Sequence, residues 1–132
     1  MAETKLMALR EAINLAQSEE MRKDEKVFLM GEDVGIYGGD FGTSVGMLDE
    51  FGPKRVRDTP ISEAAIAGSA VGAAQTGLRP IVDLTFMDFV TIALDAIVNQ
   101  AAKTNYMFGG GLKTPVTFRV ASGSGIGSAA QH

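Results

Sequence analysis

Cysteine is absent from the 132 residues, which excludes a disulfide scaffold and thiolate catalysis and agrees with a reducing compartment. A single histidine, His132, stands among scattered carboxylates, too thin a supply for a standard zinc site, so no metal ligand is assigned. Basic residues are few and dispersed: twelve oppose sixteen acidic ones for a net charge of −4, and Lys54, Arg55 and Arg57 are their closest approach to a patch. A nucleic-acid surface shows a concentrated basic footprint, and none is present. The opening "MAETKLMALREAINLAQSEEMRKDEK" carries acids throughout and lacks an apolar signal-peptide core. No run approaches the length of a membrane span. A cytoplasmic location without membrane contact is the expectation.

Phosphate motifs are also missing. "SGSGIG" at 122–127 follows a strand pattern, but a dinucleotide fingerprint needs Gly-x-Gly-x-x-Gly and Ser128 stands at its last position. Gly109 to Gly111 lead into Leu112 and Lys113 rather than a Gly-Lys-Ser/Thr ending. An oxygen-ligand site from Glu32, Asp33 and Asp40 is conceivable, and a solvated acidic loop is the simpler account.

What is present is apolar: hydrophobic residues make up 45% and charged ones 21%, enough for an ordered core. Thr4 can cap a helix whose apolar face is Leu6, Leu9, Ile13 and Ala16. "VFLMG" at 27–31 reads as a buried strand, residues 32–42 as loop, and 43–52 as a short helix capped by Thr43 and closed by Gly52 and Pro53. A brief extended segment spans 54–58. Ser62 to about Thr76 forms a helix with Gly68 and Gly72 four apart. Each interior glycine costs about 0.5–1 kcal/mol relative to alanine, so close approach of another backbone, possible at a subunit interface, is expected there. "LRPIVDLTF" at 78–86 is a strand with Pro80 near its start. Residues 87–107 form a long helix with Phe89, Ile92, Ala93, Ala96, Ile97 and Gln100 on a 3.6-residue period, and 114–120 is a further strand.

Short apolar strands alternating with helices imply a mostly parallel sheet covered on both faces, a three-layer α/β/α domain. The last crossover is unfinished, so residues 1–132 read as one incomplete domain, truncated on its C-terminal side. Ligands of such sheets sit at the C-terminal ends of the strands. Glu32 and Asp33, Glu63, Asp88 and Phe89, and His132 all fall there. Glu63 is the most informative. A helix's first turn favours a carboxylate by roughly 0.3–1 kcal/mol, yet its apolar flanks, Pro60, Ile61 and Ala64 to Ala67, make an unpartnered charge costly. A ligand ring nitrogen could be its partner.

"GEDVG" at 31–35, "RVRDTPISE" at 55–63, "GAAQTGLRPIVDLTFMDF" at 72–89, "DAIVNQAAKTNYMFGG" at 95–110 and "AAQH" at 129–132 together resemble the N-terminal part of the beta subunit of thiamine-diphosphate-dependent E1 components. That family serves pyruvate, branched-chain 2-oxo acid and acetoin dehydrogenase complexes. The resemblance implies a thiamine-diphosphate-binding fold in which this domain takes the aminopyrimidine, while a partner alpha subunit holds diphosphate and Mg2+. It implies an alpha2beta2 assembly and a lipoyl-bearing E2 component that receives the two-carbon unit. Glu63 matches the glutamate that hydrogen-bonds the pyrimidine N1′, favouring the tautomer that removes the C2 proton. Phe89 matches the aromatic residue packed on the pyrimidine, and Ile61 its apolar wall. Glu32 matches an acid supporting Glu63, since neighbouring carboxylates raise a pKa by repulsion. His132 matches the histidine of proton transfer or of contact with the intermediate and lipoyl group. "NYMFGG", with Phe108, is more similar to acetoin than to pyruvate members, so acetoin is favoured, with pyruvate the alternative. A non-catalytic assembly module is the reading for the isolated fragment.

Overall fold

A computed structural model describes residues 5–125 and 127–132 of the chain. Its elements run α1 (Leu9–Lys23), β1 (Val27–Gly31), α2 (Met47–Phe51), β2 (Val56–Asp58), α3 (Glu63–Gln75) and β3 (Arg79–Phe86). A 3₁₀ turn (Met87–Phe89), α4 (Val90–Leu94), a π-wound stretch (Asp95–Ala101), α5 (Ala102–Met107) and β4 (Thr117–Ala121) follow.

The four strands form one parallel sheet in the order β2-β1-β3-β4. β1 is buried along its whole length, as a strand covered on both faces must be, and its side chains alternate between two cores. Val27 and Leu29 join Met21, Val34, Met47 and Val56 beneath α1 and α2. Phe28 and Met30 join Ile66, Ala67, Val71, Val82, Leu84 and Ala93 beneath α3 and the long helical segment. Each such Val, Leu, Ile or Met removed from water contributes about 1.5–3 kcal/mol, so two cores rather than local propensity hold the three layers. The architecture expected from the alternating pattern is the one observed, and among the described residues no helix is long and apolar enough to cross a membrane.

Four local expectations are corrected. Thr4 lies outside the described residues, and α1 starts after Ala8, whose N–H donates to the Glu11 carboxylate at 3.1 Å. The buried side of α1 is Gln17, Ser18 and Met21 rather than the face of Leu6, Leu9, Ile13 and Ala16, of which Leu6 and Leu9 are 100% and 78% exposed, Ala16 is exposed and Ile13 is half-buried. Position along the helix decides this: the later turns adjoin β1 and the following loop, where Gln17 Nε2 donates to Thr43 O at 2.9 Å. The earlier turns only border an open cleft beside residues 40–50, where Asn14 Nδ2 donates to Val45 O at 3.1 Å.

Thr43 caps no helix. Thr43 and Ser44 are buried in the loop, with Ser44 Oγ bonded to Val34 O at 2.8 Å, and α2 begins three residues later behind Gly46. The Ser44 hydroxyl serves the loop because its buried carbonyls need donors more than a helix end open to water does, while the Thr43 hydroxyl is buried without a hydrogen-bond partner among the described residues. The 87–107 helix is not a uniform 3.6-residue winding either. Asp95 accepts from Asn99 Nδ2 at i+4 and from Gln100 Nε2 at i+5, the second spacing that of a π turn. The wider winding leaves Ile92 and Gln100 exposed while Ala93, Ala96 and Thr104 stay inward. Finally, no atom outside α3 and its immediate neighbours lies within 4 Å of a Cβ built on Gly68 or Gly72. Among the described residues no backbone makes the close approach expected there, so that face of α3 is open to a partner chain.

Candidate active site

The C-terminal edge of the sheet collects four chain crossings, and strand order decides which of them meet. β2 and β1 are neighbours, so the segment opening α3 stands beside the loop leaving β1. Thr59 N–H donates to Gly31 O at 2.9 Å and Asp58 Oδ1 accepts Gly35 N–H at 2.6 Å, tying the "GEDVG" loop to the end of β2. Ser62 occupies the N-cap position of α3, but its hydroxyl caps nothing; its backbone N–H acts instead on the Glu32 carboxylate, favouring the charged form.

Glu63, the first residue of α3, is only 6% exposed. Its charge lies near enough to Glu32 to act on it. Burial first, then Glu63, push the Glu32 carboxyl above its ordinary value, with Asp40 and Asp33 adding smaller contributions against the Ser62 N–H. Glu32 Oε1 is buried without a hydrogen-bond partner among the described residues, an arrangement that is costly until a donor or a proton arrives.

A folded-state pKa raised in this way ties stability to pH. The folded chain holds the Glu32 proton more tightly, so this contribution is fully present below the unfolded value, about pH 4.3, and is lost as pH rises through the folded value. Glu32→Gln therefore flattens the fall in melting temperature above about pH 4.3. Thermal melts from acid to neutral pH check this, and a variant curve parallel to that of the unsubstituted protein would rule the coupling out.

β3 and β4 form the other half of the edge. Phe86, at the end of β3, meets Phe41 edge-on at 5.3 Å and Phe89 edge-on at 6.2 Å between ring centres. His132 stacks on Phe86 at 3.7 Å, stands edge-on to Phe89 at 5.3 Å, and has Nδ1 3.2 Å from Asp88 Oδ2. A cavity of about 270 Å³ opens between Phe41, Phe86, Ser122, Ser124 and His132. A larger cleft, about 900 Å³, runs between α1 and residues 40–50 and contains neither Glu63 nor Phe89.

Of the residues singled out from the sequence, Glu32 and Glu63 are thus brought together, and Phe89 and His132 are brought together. Ile61 is not enclosed: it is 82% exposed, and it is absent from the cavity that its neighbours Pro60 and Ser62 line with Met30 and Ile66. Phe41, Phe86 and Asp58 were missed. Nothing local marks them, since Phe86 reads as the last residue of an apolar strand and Asp58 as the end of a short charged segment. Among the described residues no group of three or more His, Asp or Glu is placed to hold a metal ion.

Phe108, which carried the preference for acetoin, follows α5 and precedes β4. It therefore sits at the N-terminal edge of the sheet, where Lys26, Gly77, Arg79 and Leu112 line a separate depression. A residue at that edge of this chain does not touch the Glu63 side.

Comparison with known proteins places this geometry among relatives. The family model described as "Transketolase, pyrimidine binding domain" matches residues 5–132. A rice protein named pyruvate dehydrogenase E1 component subunit beta-2, mitochondrial, is 51% identical over 99% of this chain and 35% of its own length. The yeast protein named pyruvate dehydrogenase E1 component subunit beta, mitochondrial, is 50% identical over 98% and 35%. The Rickettsia bellii protein named pyruvate dehydrogenase E1 component subunit beta is 52% identical over 96% and 39%. The chain spans little more than a third of the length of these curated relatives. Two expectations change. The relatives are named for pyruvate, not acetoin. The cytoplasmic location is overturned by the mitochondrial rice and yeast relatives; the lack of a secretory core, on which it rested, does not distinguish cytoplasm from mitochondrion.

Proposed function

The chain belongs to the transketolase pyrimidine-binding domain family, and on that premise we propose that it is the pyrimidine-binding part of a pyruvate dehydrogenase E1 beta subunit. The observation that carries the proposal is the buried carboxylate pair at the C-terminal edge, with Glu63 at the head of α3 and Glu32 presenting an unpaired buried oxygen.

The residues present fit the aminopyrimidine of thiamine diphosphate. A buried carboxyl group suits a ring nitrogen, the orphaned oxygen of Glu32 can support it, and Phe89 offers an aromatic flank. Diphosphate and Mg2+ are assigned to a partner alpha subunit. When bound, thiamine diphosphate supplies a carbon nucleophile and electron sink for cleavage beside a carbonyl.

This chain's residues manage protons and packing. Glu63 holds a proton shared with the pyrimidine N1′ and so sets the basicity of the ring's amino nitrogen. Glu32, whose carboxyl is raised by burial and by Glu63, stands beside that exchange as a supporting acid. Phe89 would pack on the ring, and the exposed Ile61 would add apolar wall once a second subunit covers it. His132, oriented by Asp88 and the Phe86 ring, presents its imidazole to the substrate or to the lipoyl arm of an E2 component. The assembly is an alpha2beta2 heterotetramer.

The test uses the full-length subunit assembled with its alpha and E2 partners, with pyruvate and acetoin offered side by side. Pyruvate is expected to support turnover with the higher kcat/KM. Faster turnover of acetoin would overturn the substrate assignment, and failure of the assembly to bind thiamine diphosphate would overturn the cofactor.

A further inference from the structure

Asp83 is a carboxylate only 4% exposed that the proposed chemistry does not use. It stands on β3 opposite Gly31 of β1 and Arg119 of β4. A Cβ at Gly31 would lie 2.4 Å from the Asp83 carbonyl oxygen, so β1 approaches this point as only glycine permits. The two carboxylate oxygens have different tasks. Oδ2 pairs with the Arg119 guanidinium, while Oδ1 accepts the Thr85 N–H at 2.9 Å.

Thr85 has φ +60, a strained setting for a β-branched residue that persists only where its surroundings impose it. The strain falls at a bulge. Asp83 pairs with Arg119 and Phe86 with Ala121, so three steps along β3 match two along β4, one residue in excess. The extra residue changes a face. Strict alternation would set Phe86 on the side of Val82 and Leu84, beneath α3. Its ring instead meets Phe41 and His132, and the 3₁₀ turn carrying Phe89 begins directly after it.

We propose that Asp83 is a positioning residue for the cofactor edge: through the Thr85 N–H it holds the bulge that turns Phe86, and with it Phe89, toward the site. This rests on the preceding reading in so far as Phe89 packs on the pyrimidine. The competing account is that Asp83 serves only to neutralise the half-buried Arg119.

Two double variants of the full-length subunit, assembled with its partner, separate these accounts. Asp83→Asn with Arg119→Met removes the ion pair but keeps an acceptor for Thr85 N–H. Asp83→Leu with Arg119→Met removes both. Amide hydrogen exchange is read across residues 85–89 without cofactor, and thiamine diphosphate affinity is read by calorimetry. With the leucine variant, exchange is expected about tenfold faster and cofactor affinity about tenfold weaker than with the asparagine variant, which matches the unsubstituted protein in both. Equal exchange in the two variants overturns the hold on the bulge, and faster exchange with unchanged affinity overturns the positioning role. If the leucine variant fails to assemble, Asp83→Ala with Arg119→Met takes its place. Failure of the unsubstituted protein to bind thiamine diphosphate would instead count against the proposed function, while exchange still decides what Asp83 holds.

Discussion

Glu63→Gln, in the full-length subunit assembled with its partner, is expected to slow exchange of the C2 proton of bound thiamine diphosphate by about 10²- to 10⁴-fold, the usual worth of a positioned acid or base. Glutamine keeps the volume and the hydrogen-bonding reach of the side chain, so it fits a site that is almost closed to water. What it loses is a proton that can be shared: an amide donates to a ring nitrogen but cannot move between charged and neutral forms as the ring's basicity changes. Stability should change little. The helix-end contribution of a charge at the first turn of α3 is about 0.3–1 kcal/mol, and removing one of two facing carboxylates relieves the repulsion that raises Glu32. Exchange is followed by acid quench and proton NMR of the cofactor, with a melt as control. Exchange at the original rate in a folded, cofactor-loaded variant would remove Glu63 from its assigned role.

Phe89→Ala is expected to weaken thiamine diphosphate binding by roughly ten- to a hundredfold, the equivalent of burying one aromatic side chain against a ligand, about 1.5–3 kcal/mol. Phe89 is half-buried and belongs to neither core. Its contacts are the edge-on approaches to Phe86 and His132, and such a pair contributes about 0.5–1.5 kcal/mol beyond burial. The loss should therefore appear in cofactor affinity more than in the melting temperature, and in the KM for cofactor more than in kcat at saturation. Titration calorimetry on the assembled enzyme reads it. An unaltered affinity with a lowered melting temperature would make Phe89 a packing residue and nothing more.

The strands were legible because each is a short apolar run flanked by turn residues, and burial on both faces demands that composition. β1 coincides with "VFLMG", and β3 differs from its expected span by a single residue at its start. α3 was legible from its punctuation, Ser62 before it and Gly77 after it. The buried side of α1 was not. Its leucine stripe has the stronger apolar pattern, but the core lies beside Gln17, Ser18 and Met21, and pattern alone cannot say which turns of a helix the sheet reaches. Thr43 misled because a hydroxyl before an apolar run has the same appearance whether it caps a helix end or is enclosed in a buried loop.

By itself the amino-acid order determined the succession of strands and helices and delivered Glu32, Glu63, Phe89 and His132 to the same edge, since period, turn chemistry and burial are local properties of the chain. Only the tertiary structure decided who meets whom there. The order β2-β1-β3-β4 sets Glu63 beside Glu32, and one surplus residue on β3 turns Phe86 toward His132. Strand neighbours and a bulge are settled by contacts between residues distant in sequence, such as Asp83 with Gly31 and Arg119, and no local pattern carries that information.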